Sequence, residues 1–146
     1  MSNTQIAYES ERAILSGVLN YPEVMTRLSS LLPDPEVFEV GGHSEIYAKM
    51  LEIYEAGVEP NSFAVMGLIP DEHLSEQVQD LADDYSSTAN LEYYITDVME
   101  AYSKREFSRV LGKALRDANQ FGLSFEVLAA DFEKAFKDVR ESRVTK

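Results

Sequence analysis

Apolar residues recur along this chain at helical spacing, and the breaks between stripes fall at glycine and proline. Ala13, Ile14, Leu15, Val18 and Leu19 form a first stripe that predicts a helix ending near Asn20. Pro22 suits the first turn of a second helix carrying Val24, Met25, Leu28, Leu31 and Leu32. That helix stops before Pro33 and Pro35, because a residue preceding proline is driven out of the helical region. Asp34 to Gly42 reads as a loop with two apolar anchors, Val37 and Phe38. A third helix is expected from about Ser44 to Ala56. Its apolar residues Ile46, Tyr47, Met50, Leu51 and Tyr54 sit three and four apart, and Gly57 is its left-handed stop. Asn61 or Ser62 caps a short fourth turn with Phe63 and Met66, cut off by Pro70. Asp71 caps a fifth helix whose inward residues are Leu74, Val78, Leu81 and Tyr85. Ser86 to Ala89 is a loop, and Asn90 is the next N-cap.

From Leu91 the pattern changes. No proline occurs between here and Lys146, and Gly112 is the lone glycine before Gly122. This predicts a helix of about 30 residues, about 45 Å long at 1.5 Å per residue. Gly122 ends it, Leu123 is the hydrophobic partner of that stop, and Ser124 caps a last helix. Phe125, Leu128, Phe132, Phe136 and Val139 line that last helix at steps of three and four. So short a connection forces the two helices antiparallel. The expected fold is all-α: a compact helical head of about five helices over residues 1–89, then a long antiparallel helical hairpin over 90–146. No window alternates with period two between turn signals, so no sheet is expected.

Composition removes several kinds of chemistry. The 146 residues include no cysteine, which excludes disulfides, thiolate metal sites and thiol nucleophiles. No apolar run comes near the ~20 residues of a membrane span. The amino-terminal stretch lacks the basic and apolar regions of a secretory signal, so a cytoplasmic protein with no membrane partner is expected. The net charge of −13 is unevenly spread. Residues 1–99 hold three bases, Arg12, Arg27 and Lys49, against 18 acids, whereas residues 100–146 hold ten bases and eight acids. An acidic head repels phosphate, so no direct nucleic-acid binding by the head is expected, and a basic protein is the better partner.

Catalytic patterns are missing. A phosphate-binding loop needs a glycine five residues before the Gly-Lys pair and a hydroxyl after it. Around Gly112-Lys113 those positions hold Phe107 and Ala114. His43 and His73 are 30 residues apart with no metal-ligand spacing, and His43 is better placed for capping or packing. Asp83-Asp84 lacks the repeat of a calcium loop. No catalytic, cofactor-binding or metal residue is therefore assigned, and the chain is not expected to be an enzyme. The hairpin does carry more aromatic and aliphatic residues than two helices can bury between themselves. Tyr94, Tyr102, Phe107, Val110, Leu111, Phe125, Leu128, Phe132 and Phe136 are accordingly the candidate protein-interface residues.

The order of these features resembles the N-terminal domain of DnaB-type replicative DNA helicases. The likeness begins with Glu11-x-x-Ile14-Leu15-x-Gly17-x-Leu19 and continues with Phe38, His43-x-x-Ile46-Tyr47 and Gly57-x-x-Pro60. It ends with Ala89-Asn90-x-x-Tyr93-Tyr94 and a basic residue at Arg105. The stretch Pro60-Asn61-Ser62-Phe63-Ala64-Val65 departs from the Pro-Ile-Asp-x-x-Thr-Val usual there. The family's linker and RecA-like ATPase domain have no counterpart among these residues, so the chain is not expected to hydrolyse ATP or unwind DNA.

The resemblance implies a non-catalytic oligomerisation and docking module of DNA replication. It implies collar assembly as a homodimer or trimer of dimers, and docking of a primase, a loader or another helicase-family partner, with no cofactor. One alternative is a free-standing phage-type protein that binds a host helicase or primase and modulates it. Another is the helicase-binding domain of a primase, and a last one is an enzyme whose titratable groups converge only in the fold.

Overall fold

Ala13 to Leu19 are buried on every side in the computed structural model, which describes residues 3–84 and 88–144, with side chains over 7–84 and 88–142. These residues belong to α1 (Asn3–Asn20), and a helix buried all round is the axis of a core rather than one of its walls. Around it stand α2 (Met25–Leu31), α3 (His43–Glu55), α4 (Ser62–Gly67) and α5 (Glu72–Ala82). Two single turns of 3-10 helix, Pro22–Val24 and Pro35–Val37, join them. The long α6 (Leu91–Ala118) and α7 (Phe125–Val144) follow, and the described residues contain no strand. The expected inward Tyr85 and the loop residues Ser86 and Ser87 lie outside the described residues. The chain divides into two compact units, Met1–Val98 and Met99–Lys146, and the division falls within α6.

Local chemistry in the first unit follows the expected punctuation. The Asn61 side chain accepts from the Ala64 amide at 2.9 Å and opens α4, and Asp71 does the same for His73 at the start of α5. Gly57, at φ 85°, closes α3 with paired bonds from Val58 N to Ile53 O and from Gly57 N to Tyr54 O. Gly42, at φ 88°, opens α3, and a Cβ there would stand 2.3 Å from Gln77 Oε1 and 3.0 Å from Leu74 Cδ1 of α5. Only glycine tolerates both the left-handed backbone and that approach. Asn20 ties the ends of α1 and α5 together by donating to Ser16 O and Ala82 O at 3.0 and 3.1 Å.

The core of the unit gathers Ile14, Leu15 and Val18 of α1 with Met25, Leu28, Ile46, Met50, Val78 and Leu81, all at most 1% exposed. Polar groups are buried with them. The Glu11 carboxylate has no exposed surface. The amides of Glu39 and Val40 donate to Oε2 and Oε1 at 2.7 and 3.1 Å, and His43 Nδ1 lies 2.8 Å from Oε1. Tyr8 stacks on the His43 ring at 6.1 Å. The Tyr47 hydroxyl donates to Leu32 O at 2.7 Å and lies 3.2 Å from Leu28 O, which satisfies carbonyls at the end of α2. Burial pushes the Tyr47 hydroxyl well above the usual tyrosine range.

In the second unit, α6 ends at Ala118, four residues before Gly122. The Asn119 and Gln120 amides make tight bonds to Arg116 O and Asp117 O, and the Asn119 side chain donates to Leu115 O at 2.8 Å. An asparagine that bonds its own preceding turn competes with further helix, which sets the earlier stop. Gly122 takes its positive φ inside the turn rather than next to the helix. Ser124 then caps α7 by accepting from the Val127 amide at 3.2 Å. Gly112 sits in α6 with room to spare, since a Cβ there would meet nothing closer than Arg116 Nη1 at 3.5 Å.

Two outcomes follow for stability. Glu11→Ala takes from the Glu39 and Val40 amides and from the buried His43 ring the carboxylate they bind. The loss expected in urea denaturation is about 3–5 kcal/mol. A loss under about 1 kcal/mol, the worth of a surface pair, would show that this carboxylate does not organise the head. For Tyr47, the unfolded chain releases the phenolic proton near pH 10 and the folded chain keeps it. The native state then binds more protons, so stability falls as pH rises through the unfolded value, by roughly 1.4 kcal/mol per unit. The Tyr47→Phe variant lacks that slope, so the gap between wild type and variant should narrow between about pH 8 and about pH 11. A gap that stays constant would mean the hydroxyl is not held protonated by burial.

Candidate protein-interaction face on the hairpin

Helices α6 and α7 meet along a seam in which Phe107 and Phe136 lie 5.4 Å apart and Phe132 stacks on Phe136 at 6.0 Å. Arg140 lies over the Phe136 ring at 5.7 Å. Beside these rings is a groove of about 250 Å³ floored by Val110, Ala114, Leu128, Phe132 and Ala135. Its rim is charged in both signs. Lys113 pairs with Asp117 at 2.6 Å, and Lys134 with Asp138 at 3.4 Å. Arg109 pairs with Glu106 at 2.9 Å, and Lys137 with Glu141 at 3.8 Å.

What distinguishes the hairpin is how little it covers. No described residue from Leu111 to Ser142 is buried. Phe107, Leu111 and Leu115 recur every four residues on α6 with 38, 45 and 67% exposure. At the turn Phe121 is fully exposed, Phe125 is 76% exposed, and Leu123 and Val127 are exposed as well. Two helices side by side cover only the face each turns to the other, so apolar residues on a second face stay in solvent.

The residues singled out from sequence fall into three groups. Phe107, Leu128, Phe132 and Phe136 come together at the seam, half-covered, and Leu111 and Phe125 stand in the open. Val110 is 4% exposed and forms the floor of the groove, so the chain itself covers most of it. Tyr94 belongs to the first unit, where it packs edge-on against Tyr93 at 5.8 Å, and Tyr102 lies under the Arg105 guanidinium at 5.5 Å. Leu115 and Phe121 were not selected although both carry the same signal, an apolar residue continuing the stripe. Phe63, 86% exposed in the first turn of α4, is a further exposed aromatic on a helix too short for its spacing to mark a face.

The remaining candidate chemistry is accounted for by structure. Gly112 and Lys113 lie in mid-helix, with Lys113 engaged by Asp117. His43 is bound to Glu11, and the His73 amide is part of the α5 cap. Among the described residues no group of three His, Cys, Asp or Glu side chains converges as a metal site, and no helix is long and apolar enough to cross a membrane.

Comparison with known proteins agrees on one family. Residues 3–100 match the family described as "DnaB-like helicase N terminal domain". The chain is 27% identical over 143 residues to the replicative DNA helicase DnaC of Bacillus subtilis, with 94% of this chain and 31% of the helicase aligned. It is 30% identical over 104 residues to the replicative DNA helicase DnaB of Nostoc, covering 67% of this chain and 12% of that protein. The chain thus spans about a third or less of these relatives. In fold it matches the crystal structure of the N-terminal domain of DnaB helicase from Mycobacterium tuberculosis, with a TM-score of 0.72 at 18% identity over 88% of this chain and 94% of that one. The matched residues take in the buried Glu11 and His43 and the Gly42 and Gly57 turns, and the chain belongs to the family of DnaB-like helicase N-terminal domains.

Proposed function

We propose that this chain is an assembly and docking module of DNA replication: it pairs with a second copy through the hairpin and receives a primase or another helicase-family protein. The observation that carries the reading is the uncovered hairpin, with an exposed stripe of Phe107, Leu111 and Leu115 and no buried residue from Leu111 to Ser142. A two-fold axis lets one such face cover its own copy, because an isologous patch is self-complementary. Charge supports the same division of labour. The hairpin rim alternates in sign through its own ion pairs, so two copies meet without net repulsion. The heads, with three bases against 18 acids over residues 1–99, repel one another and favour a partner of opposite sign. Family membership supports the replication context, since the domain serves helicase oligomerisation and primase interaction in this family.

Sedimentation equilibrium across a concentration series tests the pairing. The wild type is expected to dimerise. Leu111→Glu is expected to give monomer with unchanged helicity by circular dichroism, because the position is exposed in the single chain while pairing would bury the charge. A wild type still monomeric at roughly 100 µM, a binding free energy weaker than about −5.5 kcal/mol, overturns hairpin pairing. Docking is tested by isothermal titration of the chain with the helicase-binding domain of a replicative primase. A saturable heat is expected, and its absence at similar concentrations removes the primase as the partner.

A further inference from the structure

The two sides of the hairpin are built differently. One is the groove described above, whose α7 rim carries Asp131, Lys134 and Asp138. The other holds a shallow hollow lined by Glu133, Phe136, Lys137, Arg140 and Glu141, and no residue lines both. Phe107 meets the Phe136 ring at 5.4 Å, which puts it on this second side. Leu111 and Leu115 follow Phe107 at steps of four, and neither lines the groove, although their neighbours Val110, Lys113 and Ala114 do. The exposed stripe of α6 and the hollow on α7 therefore share one face.

The charges differ as well. On the groove side Arg109, Lys113 and Lys134 are held by Glu106, Asp117 and Asp138. On the stripe side Glu126, Glu133 and Arg140 have no ion-pair partner among the described residues, and Arg140 lies over the Phe136 ring. Glu126, Ala129, Glu133, Phe136 and Arg140 recur at steps of three, four, three and four, so they form one line along α7. Turned end for end about Glu133, that line sets Glu126 against Arg140 and Ala129 against Phe136. An acid then meets a base, and a small residue meets a large one. Turned about Leu111, the α6 stripe sets Phe107 against Leu115. The two centres lie at one height. Phe107 and Phe136 touch, and from their level Leu111 is about 6 Å and Glu133 about 4.5 Å along the hairpin in the same direction, at 1.5 Å per residue.

We propose that two copies pair through this face with their hairpins antiparallel, about a two-fold axis crossing at Leu111 and Glu133, and that Glu126 of each copy binds Arg140 of the other and fixes the register. The inference rests on the hairpin pairing proposed above and adds which side pairs and in which sense. A pattern that matches itself when reversed suits a second copy, whereas an unrelated protein gains nothing from it. A parallel arrangement lays α6 on the second copy's α7 at equal height. Lys104, three residues before Phe107, then meets Arg140, four residues after Phe136, and Leu111 meets the Glu133 carboxylate. Like charges and a carboxylate against leucine oppose that choice. Arg116, which also has no carboxylate partner, folds back beside Gly112, about 100° round α6 from Leu111, and takes no part. The antiparallel axis has one unfavourable contact, between the two Glu133 carboxylates.

The test is sedimentation equilibrium of the full chain. Glu126→Arg and Arg140→Glu should each weaken the dimer by roughly tenfold or more, because like charges then meet at two symmetric places. An equimolar mixture of the two variants should recover a dimer near wild-type strength, since unlike charges meet at both places in the mixed pair. Glu133→Gln should tighten the dimer. The chain has no cysteine, so Leu111→Cys should give a disulfide-linked dimer on mild oxidation. Leu115→Cys should not, because its two copies stand about 12 Å apart along the helices. Charge variants that dimerise like the wild type, a mixture no stronger than its components, a Glu133→Gln dimer no tighter than wild type, or cross-linking at Leu115 in preference to Leu111 would each overturn this register and leave hairpin pairing standing. A wild type monomeric at roughly 100 µM overturns the pairing itself and the register with it. Primase-domain binding that Leu111→Glu abolishes, in a wild type that stays monomeric, assigns the face to a different protein and overturns both.

Discussion

Glu11 lies on the central helix with no surface in contact with water, so the protein alone must satisfy its two oxygens. Burying an uncompensated carboxylate costs several kcal/mol, and much of the head is arranged around avoiding that cost. The acceptors are met by the amides of Glu39 and Val40 and the ring of His43, all from the segment that follows the second 3-10 turn. Holding that segment against α1 seats Val37 and Phe38 in the core and sets where α3 begins. It also sets Gly42, at its positive φ, against the ends of the Gln77 and Leu74 side chains. Once α3 starts at His43, Tyr47 falls one turn later, where its hydroxyl satisfies the last carbonyls of α2. One buried carboxyl group thus ties α1 to the loop and to the start of α3.

Much of this arrangement was legible before any coordinates, because it is written in short-range chemistry. Asn61, Asp71 and Ser124 cap helices where their side chains reach an amide two or three residues on, and Gly57 ends α3 with the left-handed turn that glycine permits. The all-helical fold follows from such signals. What depends on distant residues was not legible. Glu11 and His43 are 32 positions apart, and although the sequence places His43 for capping or packing, nothing in it pairs the two. The early end of α6 turns on Asn119 bonding back to Leu115, a competition that pattern reading does not resolve. At the hairpin, apolar spacing identified the stripe but not which member the chain itself covers. Val110 and Leu111 are neighbours of one chemical kind, and only the course of α7 makes the first buried and the second exposed.

The division of charge along the chain has a physical reading of its own. The head spends each of its few cations on a local carboxylate, and these pairs are exposed or half-exposed, so they add little stability. They do leave a surface of one sign whose potential extends about a Debye length into solution, near 8 Å at physiological salt. The hairpin pairs its bases with acids three or four residues away on the same helix, so its field is short-ranged and its apolar residues dominate close contact. Long-range attraction and close packing are thereby assigned to different stretches of the same small chain.

The thin burial of the hairpin also bears on the lifetime of a single copy. Helices with one half-covered face open locally at small cost, and proteases act on opened backbone. Ten of the 13 lysines and arginines lie at or beyond Lys104, whereas none falls between Lys49 and Lys104. An enzyme that cuts after basic residues therefore finds most of its sites where the backbone opens most readily, and few in the acidic head. Whatever covers the hairpin raises the cost of opening by mass action. An uncovered copy is expected to be cut first within the hairpin.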